Sequence, residues 1–545
     1  MRFTLIEKGV TQTLTHTRAA LCFCAAALTI ASLGCATSNF IPYETGVTPT
    51  ANPLVAQYSV RHYQPGFSAW VEFGTDTTYG RKTSEVSDSG SVPGSAVVNV
   101  LVAGMLPQTT YHMRAHIDAP SGSWVDDDHT FTTGALPGPV SAQPPSSPSV
   151  VQFPAIAVTL PTPGLTPAPG VELLSLTSNA TENAAVQAVA VDLQGNIIWY
   201  CPGFAFPVKP MQNGDFIVVR NSSLEEIDLS CKVIRHISVD QINQSLQANG
   251  YSFIVPPPLG LLGGNQLHHD VLVLPNGHWI ALAQIAKSFT DLPGYPGTTN
   301  VVGDAVLDID LDGNVAWAWS AFDHLDVNRH PYFGLPDWTH SNALVYTADG
   351  NLLVSMRHQS WILKLDYANG TGAGEILWRL GEVLPGEDQS FAKFTLTNGD
   401  SSQWFYAQHF PNILSANGPQ FTLAVYDNGD FRVDSNGVQC TFAPPSNCYS
   451  RPAIFDVDEG AMTATVEWQF LPGFFSFWGG SVGALSNGDL EFDSSAPFGP
   501  VTGGQINEVT HDNTQLVWQM NVTGGVSTYR GYRIPSLYPG VAWQK

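Results

Sequence analysis

Three histidines stand at nearly the same distance before three turn glycines. Each precedes an Asn-Gly or Asp-Gly turn by nine or ten residues: His268 before Gly277, His340 before Gly350, and His409 before Gly418. Such dipeptides between β-rich runs are the strongest short-range signal of a β-hairpin. The histidines are therefore predicted to open the first strand of three equivalent hairpins. Arg357 is predicted to close the second strand of the middle hairpin, near His340.

These residue types together suit the binding of an anion. A guanidinium offers forked donors that match two anionic oxygens, and a neutral imidazole is a competent nucleophile near neutral pH. Three histidines could instead bind zinc or iron. The Arg357 guanidinium does not lose its charge and would repel a divalent metal ion, so we expect no metal at this site. We expect no other cofactor either. A Ser-His-Asp hydrolase is disfavoured because no nucleophile elbow stands in a suitable context.

The residues next to these positions are predicted from the alternation of strand side chains. His269 and His358 should point away from the site and be structural. Asn342, two residues after His340, shares its face and is a candidate substrate-binding donor. Asp270 should either orient an imidazole or cap its strand.

One repeated unit fills the chain from residue 171 to residue 545 and predicts its fold. The unit is an acidic or Asn residue, a short turn, and a strand that ends in Trp or another large apolar residue. Six copies begin at Asp192, Asp228, Asp310, Asp366, Asp456 and Asn507. The hairpins with Asn-Gly or Asp-Gly turns lie between these copies, so that each repeat contains four short strands. Such a repeat is typical of a β-propeller, and six copies predict an all-β, six-bladed β-propeller. The sixth inner hairpin should be completed by the segment around Tyr529 to Leu537.

Residues 41–135 are predicted to form a separate small β-sandwich. Ser68–Gly74 and Ala96–Val102 alternate like strands, and Leu-Pro-x-Thr-x-Tyr at residues 106–111 resembles the tyrosine corner of fibronectin type III sandwiches. This domain should space or dock the main domain. Residues 136–170 are rich in Pro and Ser and are predicted to be an extended linker.

The N-terminus predicts export. Basic residues precede an apolar run, Ala19–Gly34, that has the length of a signal peptide. The run ends at Cys35 in a sequence that resembles a bacterial lipobox. Residues 1–34 are thus predicted to be a lipoprotein-type signal and Cys35 to be lipidated, with ordinary cleavage as the alternative. A lipid anchor would hold the protein in the periplasm or at the outer membrane without spanning it.

Four further cysteines remain after export. An exported chain is expected to oxidise them, and three pairings are possible. Proximity in sequence favours Cys201–Cys231 and Cys440–Cys448.

The charge balance limits the partners. Asp and Glu outnumber Lys and Arg 46 to 22, giving a net charge of −24. This excess argues against nucleic acid and anionic membrane surfaces as partners. An anionic substrate must therefore be drawn by local cations.

Four motifs resemble those of the bacterial PAPS-independent arylsulfotransferases, also called aryl-sulfate sulfotransferases. They occur in that family's order over about residues 171–545: His268-His269-Asp270, Asp337-Trp338-Thr339-His340-Ser341-Asn342, Ser355-Met356-Arg357-His358-Gln359, and Gln408-His409.

The resemblance implies a propeller whose central channel holds the site. It also implies ping-pong transfer of a sulfuryl group from an aryl sulfate donor to a phenolic acceptor through a sulfohistidine, without PAPS. His409 would be the nucleophile, and His268, His340 and Arg357 would surround the sulfuryl oxygens. The Cys440–Cys448 pair follows His409, whereas the family's disulfide near the site tends to precede it. Donor range and homodimer formation therefore stay open.

Two other functions also stay open. One is a metal-dependent propeller hydrolase such as a sulfatase, which chelators would inhibit. The other is a non-enzymatic exported propeller that binds carbohydrate or protein, in which the histidines would be incidental.

Overall fold

Strands account for 52% and helices for 5% of the computed structural model, so the predicted all-β class is confirmed. The structure describes residues 43–88, 96–137, 153–178, 188–202, 206–258, 266–330, 332–384, 391–399, 403–433, 437–441, 447–495, 497–498, 503–524 and 526–544. The predicted signal peptide and the Cys35 anchor lie outside these residues. Within them, no helix combines the length and the apolar character needed to cross a membrane.

Alternating apolar residues build two sheets at the start of the described chain. The strands are β1 (Tyr43–Pro49), β2 (Ala56–His62), β3 (Ser68–Gly74), β4 (Arg81–Lys82), β5 (Val86–Ser87), β6 (Ala96–Val102), β7 (Thr110–Ala119), β8 (Gly122–Val125) and β9 (His129–Thr132). One sheet has the order β1-β2-β6 and the other β4-β3-β7-β8, with β5 and β9 paired to β3 and β7. The Leu106 N–H donates to the Tyr111 hydroxyl over 3.0 Å, the contact expected of a tyrosine corner.

The segment predicted to be a linker also contributes a strand. β10 (Ala155–Thr159) pairs antiparallel with residues 519–523, near the end of the chain. The segment is therefore more than a spacer, because its backbone hydrogen bonds extend a sheet.

The remaining chain forms sheets in sequence order, antiparallel except for the pairing of residues 395–396 with residues 463–464. The first contains β11 (Val171–Ser178), β12 (Ala188–Val191) and β13 (Ile197–Cys201). The second contains β14 (Val208–Pro210), β15 (Phe216–Arg220), β16 (Ser223–Ile227) and β17 (Val233–Ser238), followed by helix α1 (Val239–Ala248). The third contains β18 (Leu267–Val273), β19 (Trp279–Leu292), β20 (Tyr295–Ile309) and β21 (Val315–Ser320), followed by the short helix α2 (Ala321–His324). The fourth contains β22 (Ser341–Tyr346), β23 (Leu352–Met356), β24 (Trp361–Leu365) and β25 (Ile376–Leu380).

Two further sheets follow. The fifth contains β26 (Thr395–Leu396), β27 (His409–Asn417), β28 (Gln420–Asp427), β29 (Arg451–Asp458) and β30 (Thr463–Gln469). The sixth contains β32 (Ser481–Ala484), β33 (Leu490–Ser495), β35 (Gly504–Val509) and β36 (Leu516–Thr523), with β10 at its edge. A small pair is formed by β31 (Phe475–Ser476) and β34 (Pro497–Phe498). The last strand, β37 (Val526–Ile534), joins the first sheet beside β11.

Neighbouring sheets contact one another in succession, through the strands at or next to their inner edges. The inner-edge strands are β14, β18, β22, β27, β32 and β37. β18 contacts β22, β22 contacts β27, β27 contacts β32, and β32 contacts β37; β11 contacts β14, and β15 contacts β18. The pairing of β37 with β11 joins the end of the chain to the start of this region. The segment around Tyr529, which was predicted to complete the sixth inner hairpin, forms β37 and is the inner edge of the first sheet. The starts of the inner strands consequently lie around a shared centre.

The C-terminal residues connect this part to the N-terminal sheets. The Tyr538 hydroxyl donates to the Leu101 carbonyl over 2.9 Å, and the Trp543 indole donates to the Lys82 carbonyl over 3.0 Å. Arg81 lies over the Trp543 ring, 4.9 Å from its centroid. These contacts bury aromatic surface and fix the N-terminal sheets against the rest of Tyr43–Lys545.

Candidate active site

The inner strands that carry the predicted site histidines are irregular at their first residues. Three non-glycine residues there have positive φ: His269 at 56°, His340 at 47° and Phe410 at 49°. The pairing register shifts at the same places: between Leu267 and Val271, between Ser341 and Ala343, and between His409 and Asn412. Bulges of this kind re-aim side chains, so strict alternation between two faces does not hold here.

The rings of His269, His340 and His358 form a cluster. The His340 ring stacks on His358 with centroids 4.4 Å apart and meets His269 edge-on at 4.8 Å. The expectation that His269 and His358 point away from the site is therefore wrong. His269 turns inward because of its positive φ, and His358 because Arg357–Gln359 is a 3₁₀ turn and not a continued strand.

Both ring nitrogens of His268 face protein groups. Its Nδ1 lies 2.8 Å from the His269 Nδ1, and its Nε2 lies 3.2 Å from the Asp304 carboxylate. Asp304 also accepts hydrogen bonds from the Thr339 hydroxyl and the Ser341 N–H. Burial would raise the pKa of Asp304, but the interaction with His268 and the hydrogen bonds from Thr339 and Ser341 outweigh burial and lower it. His268 therefore supports His269, which takes the inward position expected of His268.

Asp337 connects two of the clustered imidazoles. The His340 Nδ1 lies 2.6 Å from the Asp337 carboxylate, and the His358 Nδ1 bonds to the Asp337 carbonyl over 2.8 Å. Within the described chain, Asp337, His340 and His358 are the group whose ligand atoms lie close enough to hold a metal ion. The Arg357 guanidinium lies 3.1 Å from the other nitrogen of His358 and would repel a dication.

Arg357 is buried among aromatic rings and acceptors. Its guanidinium donates to the Asp430 carboxylate over 3.2 Å and to the Phe477 carbonyl over 3.0 Å. The rings of Phe333 and Phe477 lie 4.6 and 5.0 Å from it. Its Nε is buried and has no hydrogen-bond partner among the residues that the structure describes, and so one donor is left for another acceptor. An unpaired donor on a buried cation is suited to an anionic ligand.

His409 is held on both sides of its ring. Its Nδ1 lies 2.7 Å from the Asn428 side-chain oxygen, and its Nε2 accepts from the Gly479 N–H over 3.2 Å. Asn428 also donates to the carbonyls of Ser476 and Gly479. The Tyr529 ring meets His409 edge-on with centroids 6.0 Å apart.

Asn342 and Asp270 have other partners than those predicted. The Asn342 amide donates to the Gln408 carbonyl over 2.7 Å, next to His409, so it supports the neighbouring strand. Asp270 was predicted to orient an imidazole or to cap its strand. Its carboxylate instead pairs with Arg530 at 3.0 Å and with Lys209 at 2.5 Å. Arg530 also donates to the Asn342 carbonyl.

Several of these partners were not recognised in the sequence, namely Asp304, Asn428, Asp430 and Arg530. Asn428 and Asp430 flank a glycine directly after β28, at the same end of the sheet as His409, which was an available signal. Arg530 lies in β37, whose place beside β11 only the closed topology reveals.

Burial keeps the site imidazoles neutral. It lowers the pKa of His269, His340, His358 and His409 well below the value of a free histidine. The Arg357 guanidinium adds to this effect on the pKa of the last three. At neutral pH these rings therefore offer lone pairs, and the positive charge of the site is carried by arginine.

One of the two predicted disulfides is present. Cys440 and Cys448 are bonded, and they pack with Phe475 and Phe477 beside the site. The predicted Cys201–Cys231 bond is absent, because both residues are free thiols in the structure. The Cys231 thiol instead donates to the Tyr200 carbonyl over 3.4 Å. Burial and then the neighbouring Cys201 raise the pKa of Cys231.

A comparison with known protein families identifies the family of this chain. The family described as Arylsulfotransferase (ASST) matches residues 166–533, about two thirds of the chain, including every histidine and arginine of the site. The chain belongs to the arylsulfotransferase (ASST) family. The predicted resemblance is thus confirmed. Among curated proteins, none is significantly similar to this ASST-family protein.

Solved structures resemble this ASST-family protein only distantly. A protein of unknown function from Bacteroides caccae is 10% identical, with 66% of this chain and 99% of that chain covered and a TM-score of 0.35. A catalytically inactive virginiamycin B lyase from Staphylococcus aureus, solved with quinupristin, is 10% identical, with 69% and 89% covered and a TM-score of 0.30. Likeness at this level carries no argument about the site.

Proposed function

We propose that this protein transfers a sulfuryl group from an aryl sulfate ester to a phenolic acceptor by a ping-pong mechanism, without PAPS. The proposal rests mainly on the observation that one short segment, residues 476–479, contacts both His409 and Arg357. A neutral imidazole and a guanidinium with an unpaired donor are thereby held at one centre. The family match supports the reaction class.

In the first half-reaction, His409 attacks the sulfur of the donor. The N–S bond forms as the S–O bond to the aryl group breaks, and the electron pair of that bond leaves with the phenolate. Sulfuryl transfer needs little covalent assistance, so positioning and charge stabilisation supply most of the catalysis. The Arg357 guanidinium stabilises the equatorial oxygens, and its unpaired Nε supports this role.

In the second half-reaction, a phenolic acceptor attacks the sulfur of sulfohistidine. The new S–O bond forms, the N–S bond breaks, and His409 recovers its lone pair. The acceptor proton passes to His340, whose low pKa keeps it neutral and whose Nδ1 is tied to Asp337. His269 faces the same centre and is proposed to bind sulfuryl oxygens, with His268 orienting it. Asn342 acts by supporting His409 through Gln408.

The domain organisation and the location of the protein are also part of this proposal. We propose that the six sheets of residues 171–545 are the blades of a propeller and that the first two sheets form a fibronectin type III-like domain. The protein would be an exported, periplasmic or outer-membrane lipoprotein anchored through Cys35. Its partners would be small aryl sulfates and phenols, with no nucleic acid, and a second copy of the chain in a homodimer.

A metal-dependent hydrolase is the second candidate. The observation that favours it is the Asp337–His340–His358 group, which has the residue types of a metal site. Water would then replace the phenolic acceptor, and a metal ion would replace much of the role of Arg357. The nearby guanidinium disfavours this alternative.

One assay separates these functions. p-Nitrophenyl sulfate is incubated with the folded protein without PAPS, with or without EDTA, and with or without phenol. Release of p-nitrophenol that depends on phenol, with phenyl sulfate as the product, supports sulfuryl transfer. Release that is independent of phenol and lost with EDTA supports the hydrolase. Absence of release with a panel of aryl sulfates supports a binding protein.

A further inference from the structure

The side-chain amide of Asn428 can be oriented without ambiguity. One of its atoms lies 2.9 Å from the Ser476 carbonyl and 3.0 Å from the Gly479 carbonyl. Carbonyl oxygens only accept, so this atom is the Nδ2 donor. The Oδ1 acceptor must therefore face the His409 Nδ1, 2.7 Å away.

The contacts on the two sides of the His409 ring indicate one tautomer. The Gly479 N–H can only donate, so the Nε2 that it contacts at 3.2 Å carries a lone pair. The Nδ1 must then carry the proton and donate it to Asn428. In water a neutral imidazole prefers its proton on Nε2, and so this state needs a protein partner.

We infer that Asn428 is a positioning residue that holds His409 as the Nδ1-protonated tautomer and so makes Nε2 the attacking nitrogen. Its catalytic consequence rests on the proposed function, whereas the tautomer is a property of the resting protein. Without Asn428, the Nε2 lone pair would be occupied by a proton in much of the population.

The Gly479 N–H has a matching second role. When sulfur bonds to Nε2, this N–H loses its acceptor and becomes free to donate to a sulfuryl oxygen. Position 479 requires glycine, because its φ is 69° and a Cβ there would lie 2.3 Å from the Ser495 hydroxyl oxygen. One backbone donor therefore serves the resting imidazole and then the transferred group.

The surroundings of His409 make the role of Asn428 testable by pH. The charged or titratable groups that act on the ring are Arg357, His340 and Arg530, with His269 and Tyr529 also beside it. None of these groups is a carboxylate, so none of them stabilises the protonated form of the His409 ring. A carboxylate at position 428 would therefore stabilise the imidazolium and reduce the neutral nucleophile.

The test uses the full-length protein labelled with ¹⁵N-histidine, with the His409 signals assigned by loss in His409→Ala. The inference predicts ¹⁵N shifts of a neutral, Nδ1-protonated ring. Asn428→Asp should move the acidic limb of the kcat/KM profile to higher pH. Asn428→Ala should lower kcat roughly 10- to 100-fold, by analogy with the loss of a hydrogen-bond partner that orients a metal-ligating histidine.

A matched control is Asn243→Ala, which removes an amide that bonds the Val255 backbone in both directions, away from the site. It should lower stability without moving the pH profile. An Nε2-protonated ring in the unsubstituted protein, or unchanged profiles in both folded Asn428 variants, would overturn the inference. Because the tautomer is measured without substrate, it stands or falls separately from sulfuryl transfer.

Discussion

The Arg357 guanidinium and the His409 imidazole belong to different sheets but contact the same short segment. Arg357 donates to the Phe477 carbonyl over 3.0 Å, and two residues later the Gly479 N–H donates to His409 over 3.2 Å. Residues 476–479 thereby hold the His409 imidazole and the Arg357 guanidinium relative to each other. Any change that shifts this segment should affect both groups together.

Arg357→Lys should reduce kcat/KM roughly 10²- to 10³-fold, the cost typical of losing one transition-state donor. Lysine keeps the charge but cannot reach Asp430, Phe477 and a sulfuryl oxygen at once. Steady-state kinetics with p-nitrophenyl sulfate and phenol would measure the loss. The control is Arg533→Lys, a buried arginine that pairs with Glu172 and Glu508 away from the site. Similar losses of activity per folded molecule in both variants would remove Arg357 from the mechanism.

His269→Ala should reduce kcat more than His268→Ala. The His269 ring faces His340, whereas both nitrogens of His268 face protein groups. Turnover of folded variants, normalised by circular dichroism, would rank them. His278→Ala is the control, because His278 bonds to Asp308 at the turn end of the same sheet. The proposed orientation is wrong if His268→Ala proves the more damaging change.

The site histidines should make stability depend on pH. Burial lowers the pKa of His269, His340, His358 and His409 below that of an unfolded histidine. The stability that they contribute is complete above about pH 6.5 and is lost as pH falls through their folded pKa values. Asp430 acts oppositely, because burial raises its pKa and its contribution is lost as pH rises through the folded value.

A difference measurement isolates one of these groups. Between pH 6.5 and the folded pKa, His409→Ala should flatten the pH dependence of the free energy of unfolding by up to about 1.4 kcal/mol per pH unit. Urea titrations at several pH values would give the slopes. Replacing the exposed His236 provides the comparison. Equal slopes for unsubstituted protein and His409→Ala would contradict a buried, neutral His409.

The Cys440–Cys448 bond should support both stability and turnover. It closes a loop with a sequence separation of 8 and packs with Phe475 and Phe477, next to the acceptor of Arg357. The double change to serine should cost about 2–3 kcal/mol of stability by loop entropy and should also lower kcat. Thermal unfolding and kinetics would test this, with Cys201→Ser as the control. Full kcat in the folded double variant would separate the disulfide from the site.

Much of the fold could be predicted because it follows from local patterns. Asn-Gly and Asp-Gly turns, together with strands ending in Trp, give paired β-strands with little dependence on distant residues. The segment around Tyr529 was expected to contribute an inner strand because one inner hairpin was missing, but its pairing with β11 was not predicted. The strand at Ala155–Thr159 was missed because its partner lies more than 350 residues away.

The site could be predicted only in part, because bulges decide its details. Turn spacing correctly brought His340, Arg357 and His409 to one centre. The inward turn of His269 depends on a positive φ in a non-glycine residue, which strand periodicity does not indicate. Asn428 and Asp430 were missed because they act from loops, and a loop residue shows no periodicity from which its contacts could be inferred.

The most direct test of sulfuryl transfer through His409 is mass spectrometry of the protein after incubation with p-nitrophenyl sulfate and EDTA, without acceptor. The proposal predicts one added sulfuryl group, on the peptide that contains His409, which disappears when phenol is added and is absent in His409→Ala. A protein that turns over the donor with phenol but never carries the group, or carries it on another residue, would contradict the proposal.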